Sequence, residues 1–189
     1  MKIAGIDYSI SSPAIALYDN SKFHFHFFIK SPKKLPEKTE FEQFVLHPVL
    51  MPKKFDSQEQ RFDFLSNWAI NSLAKHNISR VCLEGYSFGS KSSSLFQIAE
   101  ATSVLKNYLF KNKISFETIP PTTIKKFATG KGNAKKGQME ESFIEQTGID
   151  IRKCLNQTEK QLSPSSDIVD SYFIYKYGQQ TINENPQTD

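Results

Sequence analysis

What most limits the fold of this chain is the order in which its hydrophobic periods change. Within residues 2–29, KIAGID, PAIALYD and KFHFHFFI are short apolar or alternating runs of strand length, the last two separated by the turn-like DNSK. From residue 57 onward, helical and strand periods alternate. Phe62, Leu65, Trp68, Ala69 and Leu73 share one helical face, and ISRVCLEG then reads as a strand ending at Glu84. Leu95, Ile98, Ala99, Thr102, Leu105 and Leu109 keep helical spacing, with serines ahead of them able to cap. ISFETI reads as another strand, closed by Pro120 and Pro121. Two short helices are expected around the Gly-rich loop at 130–132, and Pro164 suits the first turn of a last helix running to about Gly178. This order predicts an α/β fold, a mixed sheet with helices packed on its faces.

With 189 residues, the chain is expected to form one domain over 1–180, followed by a polar, disordered tail at 181–189. Residues 30–56, with four prolines among lysines and glutamates, read as a long connection. In KFHFHFFI the alternation buries Phe23, Phe25 and Phe27 and predicts that His24 and His26 face solvent rather than a metal.

No apolar run approaches the roughly 20 residues of a membrane span, and MKIAGIDYSI lacks the features of a signal peptide. Cys82 and Cys154 show no metal-ligand spacing, which suits a reducing, cytoplasmic setting. The net charge of +4 is mild, but KKFATGKGNAKK at 125–136 holds five lysines and no acid. Such a cluster suits contact with a polyanion, whereas a solvated charged turn is the plainer alternative.

Acids stand out at three places. Asp7 and Glu84 each close a predicted strand, where functional residues gather in such sheets. Asp167 and Asp170, three residues apart, share a face of the last helix. In a first turn they would also complement the helix dipole. If the last helix packs across the strand ends, the four carboxylates converge and repel one another. Hard divalent cations relieve that repulsion, and paired Mg²⁺ ions about 4 Å apart are a common device for displacement at phosphorus.

GIDYSISSPAIAL, CLEGYSFGSKSSSLFQIAEATSVL, PPTTIKKFATGKGNAKKGQM and SSDIVDSYFI, in that order, resemble the segments of RuvC-type Holliday junction resolvases on the ribonuclease H-like fold. They cover about a third of the chain. The resemblance implies a homodimeric endonuclease that nicks opposed strands of four-way junctions, leaving 5′-phosphate and 3′-hydroxyl ends. It further implies two Mg²⁺ ions per site, with Mn²⁺ as a substitute, held by Asp7, Glu84, Asp167 and Asp170. Lys125 and Lys136 match the lysines that the family places at the scissile phosphate. By analogy, the helix at 92–111 would form the dimer surface.

In the basic segment, Lys126, Lys131 and Lys135 are then candidate contacts to the DNA backbone. After the family's second acid, an aromatic side chain unstacks bases at the crossover; here Ser87 holds the usual position, between Tyr86 and Phe88. A nuclease of the same fold acting on forks and flaps is the nearest alternative. A sugar-kinase-like phosphotransferase shares the Gly-Ile-Asp opening but would be longer, with a second Gly-rich phosphate motif. A non-catalytic DNA-binding relative would not need all four acids. The cell would be bacterial or virus-infected.

Overall fold

β1 (Ile3–Asp7), β2 (Ala14–Asp19) and β3 (Lys22–Ile29) form an antiparallel meander, because each is a run of apolar residues broken by short polar turns. β4 (Phe44–Leu50) then lies parallel to β3. There follow α1 (Gln58–Ala74), β5 (Arg80–Glu84), α2 (Ser94–Lys111), β6 (Ser115–Ile119), α3 (Pro121–Thr129), α4 (Lys136–Thr147), the single turn α5 (Ile151–Cys154) and α6 (Ser165–Glu184). These elements come from a computed structural model that describes residues 1–86, 94–158 and 160–184. The six-stranded sheet runs β4-β3-β2-β1-β5-β6, with β5 parallel to both of its neighbours.

The period-2 alternation sorts side chains into two cores, one on each face. Ala14, Ala16, Phe25 and Phe27 face α3, α4 and α6, packing with Ile124, Phe143 and Phe173. Ile6, Ile15, Leu17 and Phe28 face α1 and α2, packing with Leu65, Leu73, Leu105 and Leu109. Each fully buried Phe or Leu is worth about 1.5–3 kcal/mol relative to exposure, so these two layers dominate the favourable side of folding. α1 begins where Ser57 accepts a hydrogen bond from the Gln60 backbone N–H at 3.2 Å.

One contact decides where α6 sits. Its backbone approaches β1 so closely that only glycine fits at position 5, and Gly178 makes the same allowance over Cys82. α6 is thereby laid directly on β1 and β5.

Several expectations need correction. The 30–56 segment is not a structureless connection: Pro32–Lys34 form a 3-10 turn, and Phe44–Leu50 make an edge strand. Pro48 is tolerated there because an edge strand has one side free of ladder bonds. His26 is buried, and His24 is half-buried, because β4 and the end of α1 cover the face that the alternation alone would leave to solvent. α6 continues to Glu184, past Gly178 and into the first four residues of the expected tail; 185–189 lie outside the described residues. The apolar stripe of α2 is mostly spent within the chain, with Leu105 and Leu109 wholly buried; its outward aromatics are Phe96 and Phe110.

Candidate active site

Asp7 and Glu84 are the last residues of two adjacent parallel strands whose register pairs Ile6 with Leu83. They therefore leave the sheet side by side, about 4.8 Å apart in backbone spacing. Alternation puts both on the α6 side: Gly5, two residues before Asp7, touches α6, and so does Cys82, two before Glu84. Along α6 the helical period continues the same stripe. Gly178 lies over Cys82 and Ile3, and Ser171 and Tyr175 lie over Gly5. One turn earlier, Asp170 and Asp167 come over the strand ends.

All four carboxylates line one cleft of about 380 Å³, together with Lys125 from α3 and Lys136 from the start of α4. Tyr8, Ser9, Tyr86, Ile98 and Thr102 complete much of its wall. The acids expected from the sequence are thus brought together, and so are two of the lysines. Lys126, Lys131 and Lys135 are exposed and outside the cleft. Lys126 is turned away because adjacent helical positions differ by about 100°. Tyr86 lies in the wall, with the Lys106 ammonium 5.8 Å from its ring centre. Phe88 falls outside the described residues.

Electrostatics follow from this crowding. Burial and then the charges of Asp170, Glu84 and Asp167 push Asp7 well above the usual carboxylate range, against a smaller pull from Lys136. Burial and Asp170 push Glu84 up to about 7, with Lys125 and Lys136 opposing. Asp170 is pushed up to about 6, mainly by burial, with Lys136 opposing and Asp167 adding. Burial raises Asp167 as well, while the hydroxyls of Ser163, Ser12 and Ser166 and the charge of Lys136 draw it back. Lys136 Nζ donates to Ser166 Oγ at 3.1 Å, which anchors the lysine at the mouth of α6.

The three serines are site residues that the sequence reading missed. Ser12 Oγ donates to Ser163 Oγ at 3.2 Å, tying the β1–β2 loop to the segment that enters α6. The available signal was the run SISS, one residue beyond Asp7, and SPSS directly before Asp167: small hydroxyl residues beside both acids.

Does this cleft suit a hard cation? Asp167 Oδ2 is buried, and although the Ser12 and Ser163 hydroxyls lie near this carboxylate, no group among the described residues is placed to hydrogen-bond Oδ2 itself. A buried carboxylate oxygen without a partner is destabilising, and a cation is the partner that fits it. The cleft offers carboxylate and hydroxyl oxygens and no imidazole or thiolate, which is the donor set of Mg²⁺ or Mn²⁺ rather than of Zn²⁺.

Comparison with known proteins finds no matching family model and no matching curated protein. Solved structures do match. Thermus thermophilus RuvC aligns with a TM-score of 0.59 at 14% identity, over 96% of each chain. The complex of T. thermophilus RuvC with a Holliday junction substrate gives 0.59 at 15% identity, again over 96% of each. The yeast mitochondrial Holliday junction resolvase Ydc2 gives 0.57 at 16%, over 97% of this chain and 80% of that one. At such identities the likeness concerns architecture, and on that evidence the chain shares the mixed six-stranded α/β fold of RuvC.

Proposed function

We propose that the protein is a metal-dependent endonuclease that resolves four-way DNA junctions. The observation that carries this reading is the convergence of Asp7, Glu84, Asp167, Asp170, Lys125 and Lys136 in one cleft. Bound there, a pair of Mg²⁺ or Mn²⁺ ions would supply an activated water and neutralise charge on the leaving oxygen. Asp7, Glu84, Asp167 and Asp170 would hold those ions through deprotonated oxygens. Lys136, fixed through Ser166, and Lys125 place ammonium groups where negative charge builds on the phosphate. Hydrolysis leaves 5′-phosphate and 3′-hydroxyl ends.

The substrate class is supported by charge and by the fold. Lys126, Lys131 and Lys135 extend positive surface away from the cleft, suited to phosphates on either side of the cut. A second groove, lined by Lys30, Lys33 and Lys34, reaches Ser12 and Ser163 beside Asp167. Structures of the same fold include RuvC bound to a Holliday junction substrate. A two-fold junction calls for a C₂ dimer with one site per opposed strand, and the outward Phe96 and Phe110 of α2 are its proposed contacts. Among the described residues no helix is long and apolar enough to cross a membrane, and a cytoplasmic site of action belongs to this reading.

The test is incubation with end-labelled four-way, forked and linear DNA, with and without Mg²⁺. Paired nicks in the four-way junction that need Mg²⁺ are the expected result. Stronger cutting of forks than of four-way junctions would assign the Lys30–Lys34 groove to a broader branched-DNA nuclease. No cutting of any DNA with Mg²⁺ or Mn²⁺ would refute the nuclease reading.

A further inference from the structure

All four histidines of the chain, from positions scattered over more than fifty residues, meet at one place. His24 and His26 come from β3, His47 from β4, and His76 from just beyond α1. His24 Nδ1 lies 2.9 Å from His47 Nε2, and His26 Nε2 lies 3.3 Å from His76 Nε2. The rings of His26 and His47 stack at 4.2 Å. One ring nitrogen from each of His24, His47 and His76 lies within 4.8 Å of the others.

The outer nitrogens carry the second observation. His76 Nδ1 lies 2.9 Å from Asp19 Oδ2, and His24 Nε2 lies 3.3 Å from the Asp19 carbonyl oxygen. Both contacts suit N–H donation outward to Asp19, which leaves His76 Nε2 and His24 Nδ1 as lone pairs facing inward. An imidazole fixed by an outward N–H bond to a carboxylate or carbonyl is the usual support of a metal-ligating histidine. Asp19 is itself held ionised, down to about 2, by hydrogen bonds from Lys2 and His76. Burial lowers His24 below its ordinary range and holds His47 down to about 4, which favours the neutral, ligating form of both.

We infer that His24, His47 and His76 form a binding site for a transition-metal dication of the Zn²⁺ class, which ties the β3–β4 edge to the end of α1. Tetrahedral Zn–N bonds of about 2.0–2.1 Å set ligand nitrogens roughly 3.3–3.4 Å apart. The 2.9 Å His24–His47 separation lies just below that spacing, and the third nitrogen, within 4.8 Å of both, would close in by at most about 1.5 Å to complete the set. Imidazole nitrogen suits Zn²⁺, Cu²⁺ or Ni²⁺ and does not suit Mg²⁺. An open groove over His26, His47, Asn71, Lys75 and His76 gives the ion a way in and leaves room for a water as fourth ligand. The site is separate from the acids. Asp7 faces Ala14 at one end of β2 while Asp19 is at the other, about 17 Å along the strand at roughly 3.3 Å per residue. The inference does not depend on the nuclease reading.

The test uses the untagged full chain, stripped with chelator, with excess Mg²⁺ present to occupy the carboxylates. Zn²⁺ is titrated in, unbound metal is removed, and retained metal is counted by mass spectrometry. One retained equivalent is expected, and Co²⁺ in its place should give the strong visible bands of a four-coordinate nitrogen site. His24→Gln and His47→Gln should lose the equivalent, while Asp7→Asn keeps it. Circular dichroism checks that the histidine variants are folded. Should they not fold, the Co²⁺ spectrum of the wild type still decides. The inference is overturned if the wild type retains no Zn²⁺, if only weak six-coordinate Co²⁺ bands appear, or if folded histidine variants retain the ion undiminished.

Discussion

Gly5 on β1 lies against Tyr175 on α6 so closely that a Cβ at residue 5 would sit 2.2 Å from the Tyr175 backbone nitrogen and 2.4 Å from the Ser171 carbonyl oxygen. Neither neighbour is the free end of a side chain, so the helix itself must move to admit a methyl group. Gly5→Ala should therefore destabilise by about 1–3 kcal/mol or more, as overpacking of a fixed contact does. The same movement shifts Asp167 and Asp170 relative to Asp7, so cleavage should fall even where the variant is fully folded. Gly137→Ala is the matched control. Nothing lies within 4 Å of its would-be Cβ, and it is inside α4, so stability should hold or rise by up to about 1 kcal/mol. Urea denaturation of both variants, with single-turnover cleavage alongside, measures these effects.

Substitution of the acids tests the cleft as a metal centre. Asp7→Asn, Glu84→Gln, Asp167→Asn and Asp170→Asn should each reduce cleavage to background with Mg²⁺ while leaving junction affinity largely intact. Removing a negative charge even eases the approach of phosphate. Asp167 should be the most informative member, because its buried Oδ2 has no other partner among the described residues. Normal turnover by Asp7→Asn would reject the two-ion mechanism.

The sign of the pH dependence follows from the raised acids. Glu84 near 7 and Asp170 near 6 bind protons more tightly in the folded protein than in the unfolded chain, where they titrate near 4.5 and 3.8. Their contribution to metal-free stability is fully present below those unfolded values and is lost as pH rises through about 6 and 7. Divalent ions compete with those protons. The rise in melting temperature given by saturating Mg²⁺ should hence be small at pH 5 and grow toward pH 8. The increment should shrink in Asp170→Asn. An increment independent of pH would mean that Mg²⁺ does not bind at these carboxylates.

How much of this could be read from the sequence varies with the kind of interaction. β1, β5 and α6 were legible because burial on a fixed period marks them, and Asp7, Glu84, Asp167 and Asp170 stood out because a carboxylate breaks that period. β4 was not, because FVLHPVL carries Pro48 and His47 inside a Pro- and Lys-rich stretch; only its pairing with β3 makes it a strand. For the histidines, alternation correctly separated them from Phe23, Phe25 and Phe27. Whether their face would be covered depended on β4 and α1, which are distant in sequence. The α2 stripe was legible as apolar, but periodicity alone does not say whether such a stripe meets its own sheet or another chain.

The proposed dimer rests on what α2 leaves outside. Phe96 and Phe110 are 76% and 77% exposed, fourteen residues apart, and so lie on nearly the same side of the helix. Light scattering should give about twice the 21.6 kDa of one chain. Phe96→Glu with Phe110→Glu should yield a folded monomer, since neither ring contributes to the core. A monomer in the unaltered protein, both free and on junction DNA, would remove paired nicking and spare the nuclease activity.

The lysines of 125–136 divide into two kinds by position. Lys136 and Lys125 line the cleft, whereas Lys126, Lys131 and Lys135 are exposed outside it. An ammonium at the reacting phosphate acts on charge that develops in the transition state. Lys136→Ala should accordingly lower the single-turnover rate by about 10²-fold or more, with little change in affinity. Ser166→Ala removes the anchor of that ammonium and should reproduce part of the loss without touching charge. Lys131→Ala or Lys135→Ala should do the opposite: bind more weakly, keep the saturated rate, and lower the salt dependence of affinity by about one unit for each phosphate no longer neutralised. Affinity measured across salt concentrations, with single-turnover cleavage at saturating enzyme, separates the two. If all of these lysines shift affinity alike and none alters the saturated rate, the segment is a patch of charge, and Lys125 and Lys136 have no part in the chemistry.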